Sequence, residues 1–307
     1  ADDPCVTPRL ASTAGLDVAI PSSSKLRDRH RHAGPRDALL GLLWRHRAAQ
    51  RRRTRLALLS PLTAEDVGEV AVIYDEGDVV MPPNTFDLHA TSLRYLPKAG
   101  GGYDVVQIDP SFRRPLGESV SLDDDDTVGR DLSFGFNFFN ATQSMAFVNS
   151  DGNITFGEGD SAIAPRDVGR LLSGAPRVAP FLADLDPSVG GTIFVRSGTD
   201  AFTTTWCAVP VWGSSRKATM QVSLLVDGSI EMKYADAARW TATDGVAGIS
   251  PGHTEDFLPV DLTTAATGTI AGNAGAIGER FSERFDVDLV ELTRKFFRTH
   301  PDNFDQL

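Results

Sequence analysis

A long run of short apolar segments separated by turns constrains the fold of this 307-residue chain more than any other feature. Between Val128 and Ser250, strand-forming runs alternate with Asp-Gly, Gly-Gly and proline-rich turns, and only residues 166–174 leave room for a short helix or a loop. Asp151-Gly152 and Asp227-Gly228 each stand between apolar runs, which is a strong local signal for a β-hairpin. The pattern predicts a mainly β fold, an antiparallel two-layer β-sandwich.

Other patterns lie on either side of this run. Residues 36–56 join an apolar first half to an arginine-rich second half and predict an N-terminal basic helix. Residues 68–110 alternate apolar and polar side chains and predict three strands in a meander. Residues 286–299 place apolar side chains at helical spacing and predict a C-terminal helix that ends before Pro301.

These patterns divide the chain into four predicted segments. They are an irregular lead with the basic helix (1–60), a β-meander that decorates or precedes the sandwich (61–127), the sandwich (128–255), and a linker with the C-terminal helix (256–307). Three strands and one helix make a thin core by themselves, so we expect the residues before 128 to decorate the sandwich rather than form a separate domain.

The net charge of −11 is unevenly distributed along the chain. Between Lys25 and Arg55, eleven basic residues stand against two acidic ones, a balance of +9, so the remainder carries −20. The overall acidity disfavours nucleic acid as a partner. The basic helix can pack its leucines on the body with its arginines in water, bind an acidic partner or a membrane surface, or be a processing site. The candidate interaction residues are Arg45, Arg47, Arg51, Arg52 and Arg53.

Other features of the sequence suggest an exported protein. No apolar run reaches the roughly 18 residues that a membrane helix needs, so we expect at most peripheral membrane contact through the basic helix. The start ADDPC, with no initiator methionine or apolar leader, is typical of a mature start after signal removal or of an artificial boundary. Cys207 lies in a strand pattern and is expected to be buried, and the sequence leaves open whether it forms a disulfide with Cys5.

Four blocks, in order, resemble the nidogen-like (NIDO) extracellular domain family over roughly residues 128–255. The resemblance implies a secreted or cell-surface β-sandwich module, one part of a larger matrix, adhesion or envelope protein, and it transfers no catalytic residues. Because the vertebrate members lie among disulfide-rich modules and this chain has two cysteines, a bacterial secreted protein is favoured. The blocks are LSFGFNFFNATQSMAFVNSDGNITFG (132–157), PRVAPFLADLDPSVGGTIFV (176–195), FTTTWCAVPVW (202–212) and MQVSLLVDGSIEMKYADA with GVAGISPG (within 220–252).

The sequence offers few residues for chemistry. It contains no HExxH, GxSxG, CxxC or phosphate-binding glycine loop, so we expect no catalytic or cofactor-binding residues. Asp184 and Asp186 flank one residue and point the same way on an extended backbone, which makes them candidate calcium ligands, although turn capping is favoured. A solvated loop is favoured for Asp123–Asp126, and a role in the hairpin turn for Asp151.

The leading hypothesis is a non-catalytic extracellular or periplasmic module that contacts other protein subunits or matrix components. One alternative is the accessory or pro-region of a secreted, metalloprotease-like hydrolase, because the tail FFRTHPDNFDQL resembles a segment that precedes further domains in large secreted bacterial proteins. Another alternative is a calcium-dependent carbohydrate-binding module.

Overall fold

The computed structural model describes Cys5 and residues 64–66, 71–75, 79–288 and 292–296. The contacts divide the chain into two units, residues 1–7 with 82–285 and residues 8–81 with 286–307. The predicted basic helix at 36–56 lies outside the described residues. The described strands are, in chain order, β1 (Ala64–Asp66), β2 (Ala71–Ile73), β3 (Val80–Met81), β4 (Ser92–Pro97), β5 (Tyr103–Gln107), β6 (Glu118–Val120), β7 (Thr127–Phe138), β8 (Ala141–Asn149), β9 (Asn153–Thr155), β10 (Arg177–Leu182), β11 (Thr192–Ser197), β12 (Ala201–Pro210), β13 (Lys217–Leu225), β14 (Ile230–Tyr234), β15 (Gly245–Ser250), β16 (Phe257–Pro259), β17 (Ala276–Phe281) and β18 (Asp286–Val287).

The first unit contains two seven-stranded sheets. One has the order β16-β17-β15-β10-β9-β8-β7 and the other the order β5-β4-β14-β13-β12-β11-β6. All neighbouring strands within these sheets pair antiparallel except β16 and β17, which are parallel. The prediction of a mainly β protein is therefore confirmed, and so are the two Asp-Gly hairpins, which connect β8 to β9 and β13 to β14.

Side chains from both sheets form one hydrophobic core. The Trp206 indole N–H on β12 donates to the carbonyl of Asn149 on β8 at 3.2 Å, and the Tyr234 hydroxyl on β14 donates to the carbonyl of Pro180 on β10 at 2.9 Å. Burial of this apolar surface is the main stabilising term for such a pair of sheets, and the shared core is the packing that a two-layer sandwich requires. Fully buried members include Phe136, Ile154 and Val178 from the first sheet and Trp206, Val222 and Met232 from the second.

Two short helices lie within residues 82–285. Helix α1 (Val168–Ser173) begins at Asp167, whose side chain accepts from the backbone N–H of Arg170 at 2.9 Å, as an N-cap residue does. Of the two alternatives left open for 166–174, a short helix or a loop, the structure shows the helix. Leu171 is fully buried and packs α1 onto the first sheet, against Ala179, Leu182 and Val246. A 3-10 helix spans Leu262–Ala266.

The described residues of the second unit form two small sheets, β1 with β2 and β3 with β18. The predicted helix start at residue 286 is wrong, because Asp286–Val287 forms a strand, and the described helical residues are 292–296. The predicted meander is also wrong in part. Its strands β4 and β5 pair as a hairpin, but the segments at 71–73 and 80–81 belong to two other sheets.

Candidate functional site

The hairpin turn between β8 and β9 is polar but buried. Asn149 and Asn153 are paired across the turn and are both fully buried, and Asp151 is 1% exposed. Gly152 has φ +70°, and a Cβ there would lie 2.2 Å from the carbonyl oxygen of Phe181. Glycine is therefore required at this position both by the turn and by the close approach of β10.

Two arginines bind the carboxylate of Asp151, one that precedes helix α1 and one within it. Its Oδ2 accepts from Arg166 Nε at 2.9 Å and lies 3.1 Å from Arg170 Nη1. Its Oδ1 accepts from the backbone N–H of Leu185 at 3.4 Å. Asp151 therefore does more than shape the turn, because it joins the hairpin to the segment that carries α1.

A second carboxylate, that of Asp160, forms ion pairs with Arg170 and with a third arginine, Arg177. Its Oδ1 lies 2.8 Å from Arg170 Nη2, and its Oδ2 lies 2.5 Å from Arg177 Nη1. Arg177 is 2% exposed and also donates to the Asn153 side-chain oxygen at 2.7 Å. Buried guanidiniums are stable only when they are paired in this way, so these contacts hold the loop, α1 and the hairpin together.

Arg166 extends the same cluster to two more carboxylates. Its Nη2 forms an ion pair with Asp125 and another with Asp184, the second at 3.0 Å. We call the whole set the arginine–aspartate network. Its members are Asp125, Asp151, Asp160, Arg166, Arg170, Arg177 and Asp184.

Burial and pairing shift the pKa values within this network in different directions. Burial raises the pKa of Asp151 to about 6, although the charges of Arg166 and Arg170 oppose the rise. Burial also acts to raise the pKa of Asp160, but the hydrogen bond from Arg170 and the charge of Arg177 outweigh it and lower that pKa to about 2. Burial lowers the pKa of Arg177, against the attraction of Asp160. Asp160 is therefore the firmly ionised counter-charge of the two buried arginines.

The two candidate calcium ligands, Asp184 and Asp186, have different partners in the structure. Asp184 is paired with Arg166, whereas Asp186 accepts from the backbone N–H of Ser188 at 2.9 Å and from its hydroxyl at 2.5 Å. Within the described ranges, no group of three or more His, Cys, Asp or Glu residues is arranged to hold a metal ion. For Asp184 and Asp186, turn capping stays the favoured prediction and calcium binding the alternative.

The acidic run Asp123–Asp126 is less solvated than predicted. The Asp125 side chain is 19% exposed and is paired with Arg166, and Asp126 accepts from the backbone N–H groups of Thr127 and Asp123. The expectation of a solvated loop is therefore wrong for Asp125, since a guanidinium neutralises it inside the network.

The structure describes both cysteines but none of the candidate interaction residues. Cys207 is buried, as predicted, and it forms a disulfide with Cys5. The five arginines of the basic segment lie outside the described residues, namely Arg45, Arg47, Arg51, Arg52 and Arg53.

An open cavity of about 450 Å³ lies beside α1 and borders the network. Arg170 and Arg177 contribute to its wall, and so do the carboxylates of Glu158, Asp160 and Asp167. The remaining lining residues are small, namely Gly159, Ala162, Ala164, Pro165, Gly169, Ser173, Gly174 and Ala175.

Sequence reasoning missed Asp160 and the three arginines of this network. The sequence did contain a signal that these arginines could lie close together. Arg166 and Arg170 are four residues apart, a spacing that makes side chains neighbours on a helix, and Arg177 follows at the start of the next strand. The carboxylate partners of these arginines, however, lie in separate loops, and local patterns carry no information about that pairing.

Comparison with known proteins was consistent with this architecture. A family model described as NIDO related matches residues 102–277, a range that contains the segment whose sequence resembles nidogen-like domains. No curated protein and no solved structure matches the chain. None of the helices in the described part of the chain has the length and apolar content needed to cross a membrane. Since the family model covers more than half of its residues, the chain belongs to the NIDO-related family.

Proposed function

We propose that this chain is a non-catalytic protein-interaction or structural module that works outside the cytoplasm as part of a larger envelope, matrix or adhesion assembly. The observation that carries the proposal is the family match over residues 102–277. NIDO-related domains are, in general, extracellular modules without enzymatic activity. Secretion to the extracellular space or the periplasm follows from the same reasoning.

The burial and the contacts of the arginine–aspartate network support a structural role for its residues. A general acid or base must reach a substrate, but Asp151 is 1% exposed and is held by Arg166 and Arg170. Asp160 likewise has both of its oxygens engaged by arginines. These groups are suited to bracing the surface loops of a rigid module rather than to proton transfer.

The basic segment is the interaction element in this proposal. Between Lys25 and Arg55 the chain carries a balance of +9, against −20 elsewhere. A concentrated positive charge attracts acidic protein surfaces and accelerates encounter with them. The proposed partner is therefore a protein subunit or matrix component with an acidic surface, which meets Arg45, Arg47 and Arg51–Arg53.

Charge reversal of Arg51, Arg52 and Arg53 to glutamate tests this proposal. The full chain and the triple variant are used as baits on an extract of the source, and captured proteins are compared by mass spectrometry. A control variant reverses three exposed cations of the described surface, Arg114, Lys217 and Arg284, and so changes the net charge equally.

We expect the Arg51–Arg53 variant to lose its partners and the control variant to retain them. Equal capture by both variants and by the unmodified chain would remove the basic segment from the interface. Equal loss in both variants would show that net charge, rather than this segment, controls association.

A further inference from the structure

The sequence contains two copies of the acceptor pattern for N-linked glycosylation, Asn-X-Ser/Thr. They are Asn140-Ala141-Thr142, which begins in the turn before β8, and Asn153-Ile154-Thr155, which forms β9. Enzymes that glycosylate exported proteins recognise this pattern and attach an oligosaccharide to the asparagine amide. So short a pattern also arises by chance, and its environment in the folded chain decides whether it can serve as a modification site.

The second copy is closed to modification in the folded chain. Asn153 is fully buried, and its side-chain oxygen accepts from Asn149 at 2.8 Å and from Arg177 at 2.7 Å. Its amide nitrogen, the atom that would carry the sugar, donates to the carbonyl of Asp151 at 3.2 Å. An oligosaccharide on that nitrogen would need space inside the protein and would leave buried polar groups without partners. A folded chain therefore carries Asn153 unmodified, which makes this copy an internal control.

The first copy lies at an exposed hairpin turn. Strands β7 and β8 pair as far as Phe138 with Ala141. Phe139 and Asn140 therefore form a two-residue turn, and their φ angles of +45° and +66° are those of a type I′ turn, in which asparagine is favoured. Asn140, Ala141 and Thr142 are all exposed. A turn of this kind can be reached by an enzyme and can hold a large polar substituent in water.

The neighbouring turn at Lys98–Gly102 leaves space beside the Asn140 amide. A Cβ at Gly101 would lie 2.9 Å from Asn140 Nδ2, so the glycine keeps that space free of a side chain. The Thr142 hydroxyl, which completes the pattern, is also at the surface and donates to the Asn137 side-chain oxygen at 2.8 Å. Both elements of the pattern are therefore accessible in the folded protein.

We propose that Asn140 carries an N-linked oligosaccharide, which an oligosaccharyltransferase transfers from a lipid pyrophosphate-linked donor. In this step Asn140 Nδ2 forms a bond to the anomeric carbon of the first sugar, and the bond from that carbon to the pyrophosphate oxygen breaks. The lipid pyrophosphate leaves with the bonding electrons, and one amide proton passes to a base. Because such transfer takes place outside the cytoplasm, the inference rests on the location given in the proposed function; it does not depend on the basic segment.

Peptide mass spectrometry on two preparations of the full chain tests the proposal. One is the exported protein from its source, and the other is secreted from a eukaryotic host behind a heterologous signal, which imposes export. Peptide-N-glycosidase in heavy-oxygen water converts each glycosylated asparagine to labelled aspartate, and chymotryptic cleavage after Phe147 separates the two copies of the pattern. Asn140→Gln removes the acceptor and Thr142→Val the hydroxyl, whereas Thr142→Ser keeps the pattern and is the matched control.

We expect both preparations to be labelled at Asn140 and unlabelled at Asn153. Asn140→Gln and Thr142→Val should lose the whole mass of one oligosaccharide, and Thr142→Ser should retain it. Unlabelled Asn140 in either preparation, or a glycan at Asn153 in folded protein, would overturn the proposal. Location of the source protein in the cytoplasm would contradict the proposed function and the glycan with it, whereas unlabelled Asn140 in a secreted chain would overturn the site alone, so the two failures are distinguishable.

Discussion

Replacement of Asp160 by asparagine removes the carboxylate that Arg170 and Arg177 share while it keeps the size of the side chain. Asp160 is 12% exposed at its side chain, and the Arg177 side chain is 2% exposed. The substitution therefore leaves a buried guanidinium without its charged partner, which is more damaging than removal of both partners together.

The lowered pKa of Asp160 and the general cost of breaking a buried ion pair give two estimates of the effect. Lowering of the Asp160 pKa from 3.8 to about 2 corresponds to roughly 2 kcal/mol, at about 1.36 kcal/mol per pH unit. Loss of one partner from a buried ion pair typically costs about 3–5 kcal/mol. We therefore expect Asp160→Asn to reduce the free energy of unfolding by about 2–5 kcal/mol at pH 7.

Urea denaturation at pH 7, and again at intervals down to pH 2, measures this effect. Because the folded-state pKa of Asp160 lies below the unfolded value, its contribution is present above about pH 4 and is lost as the pH falls towards 2. The variant should lose that part of the pH dependence. Asp131→Asn, at an exposed position, is the matched control and should change stability by less than about 0.5 kcal/mol. A loss under about 1 kcal/mol in Asp160→Asn would refute the reasoning.

Two further predictions concern the hairpin turn and the predicted calcium ligands. Gly152→Ala should lower the free energy of unfolding by about 2 kcal/mol or more, because its Cβ would meet the Phe181 carbonyl, whereas Gly213→Ala, with positive φ but open space, should cost about 1 kcal/mol. Equal losses of stability in the two variants, measured by urea denaturation, would show that the contact with the Phe181 carbonyl is unimportant. Millimolar calcium should leave the Tm unchanged, because Asp184 and Asp186 are already engaged, and a rise of several degrees that Asp184→Asn abolishes would instead establish a calcium site.

The hairpins could be predicted from the sequence because their signals are local. Asp227-Gly228 joins two apolar runs, and in the structure β13 and β14 pair from Leu224 with Ile230 onward. Gly228 has φ +83°, the conformation for which glycine is the usual choice. Turn chemistry and apolar alternation act over a few residues, so they can be recognised without knowledge of the remaining fold.

The arginine–aspartate network could not be predicted in the same way. Asp151 reads as an ordinary turn residue, and its burial depends on coverage by the segment with Arg166 and Arg170, which lies 15–19 residues further along the chain. No periodic pattern links these positions. Only the tertiary fold shows that Asp151 of the polar hairpin is neutralised by Arg166 and Arg170.

The start of the C-terminal helix was predicted wrongly for a different reason. Apolar residues such as Val287, Leu289 and Val290 satisfy helical spacing, but a short segment with such residues is also compatible with a strand. In the structure Asp286–Val287 pairs with Val80–Met81, a partner about 200 residues distant in the chain. Pairing at that range overrides local preference.

The assembly state of the protein purified from its source tests the central claim most directly. Native mass spectrometry, together with the intact mass, identifies every chain that accompanies this one. Our account predicts that the module co-purifies with other subunits or as part of a longer chain. A free monomer of 33.0 kDa with no associated chain would contradict it.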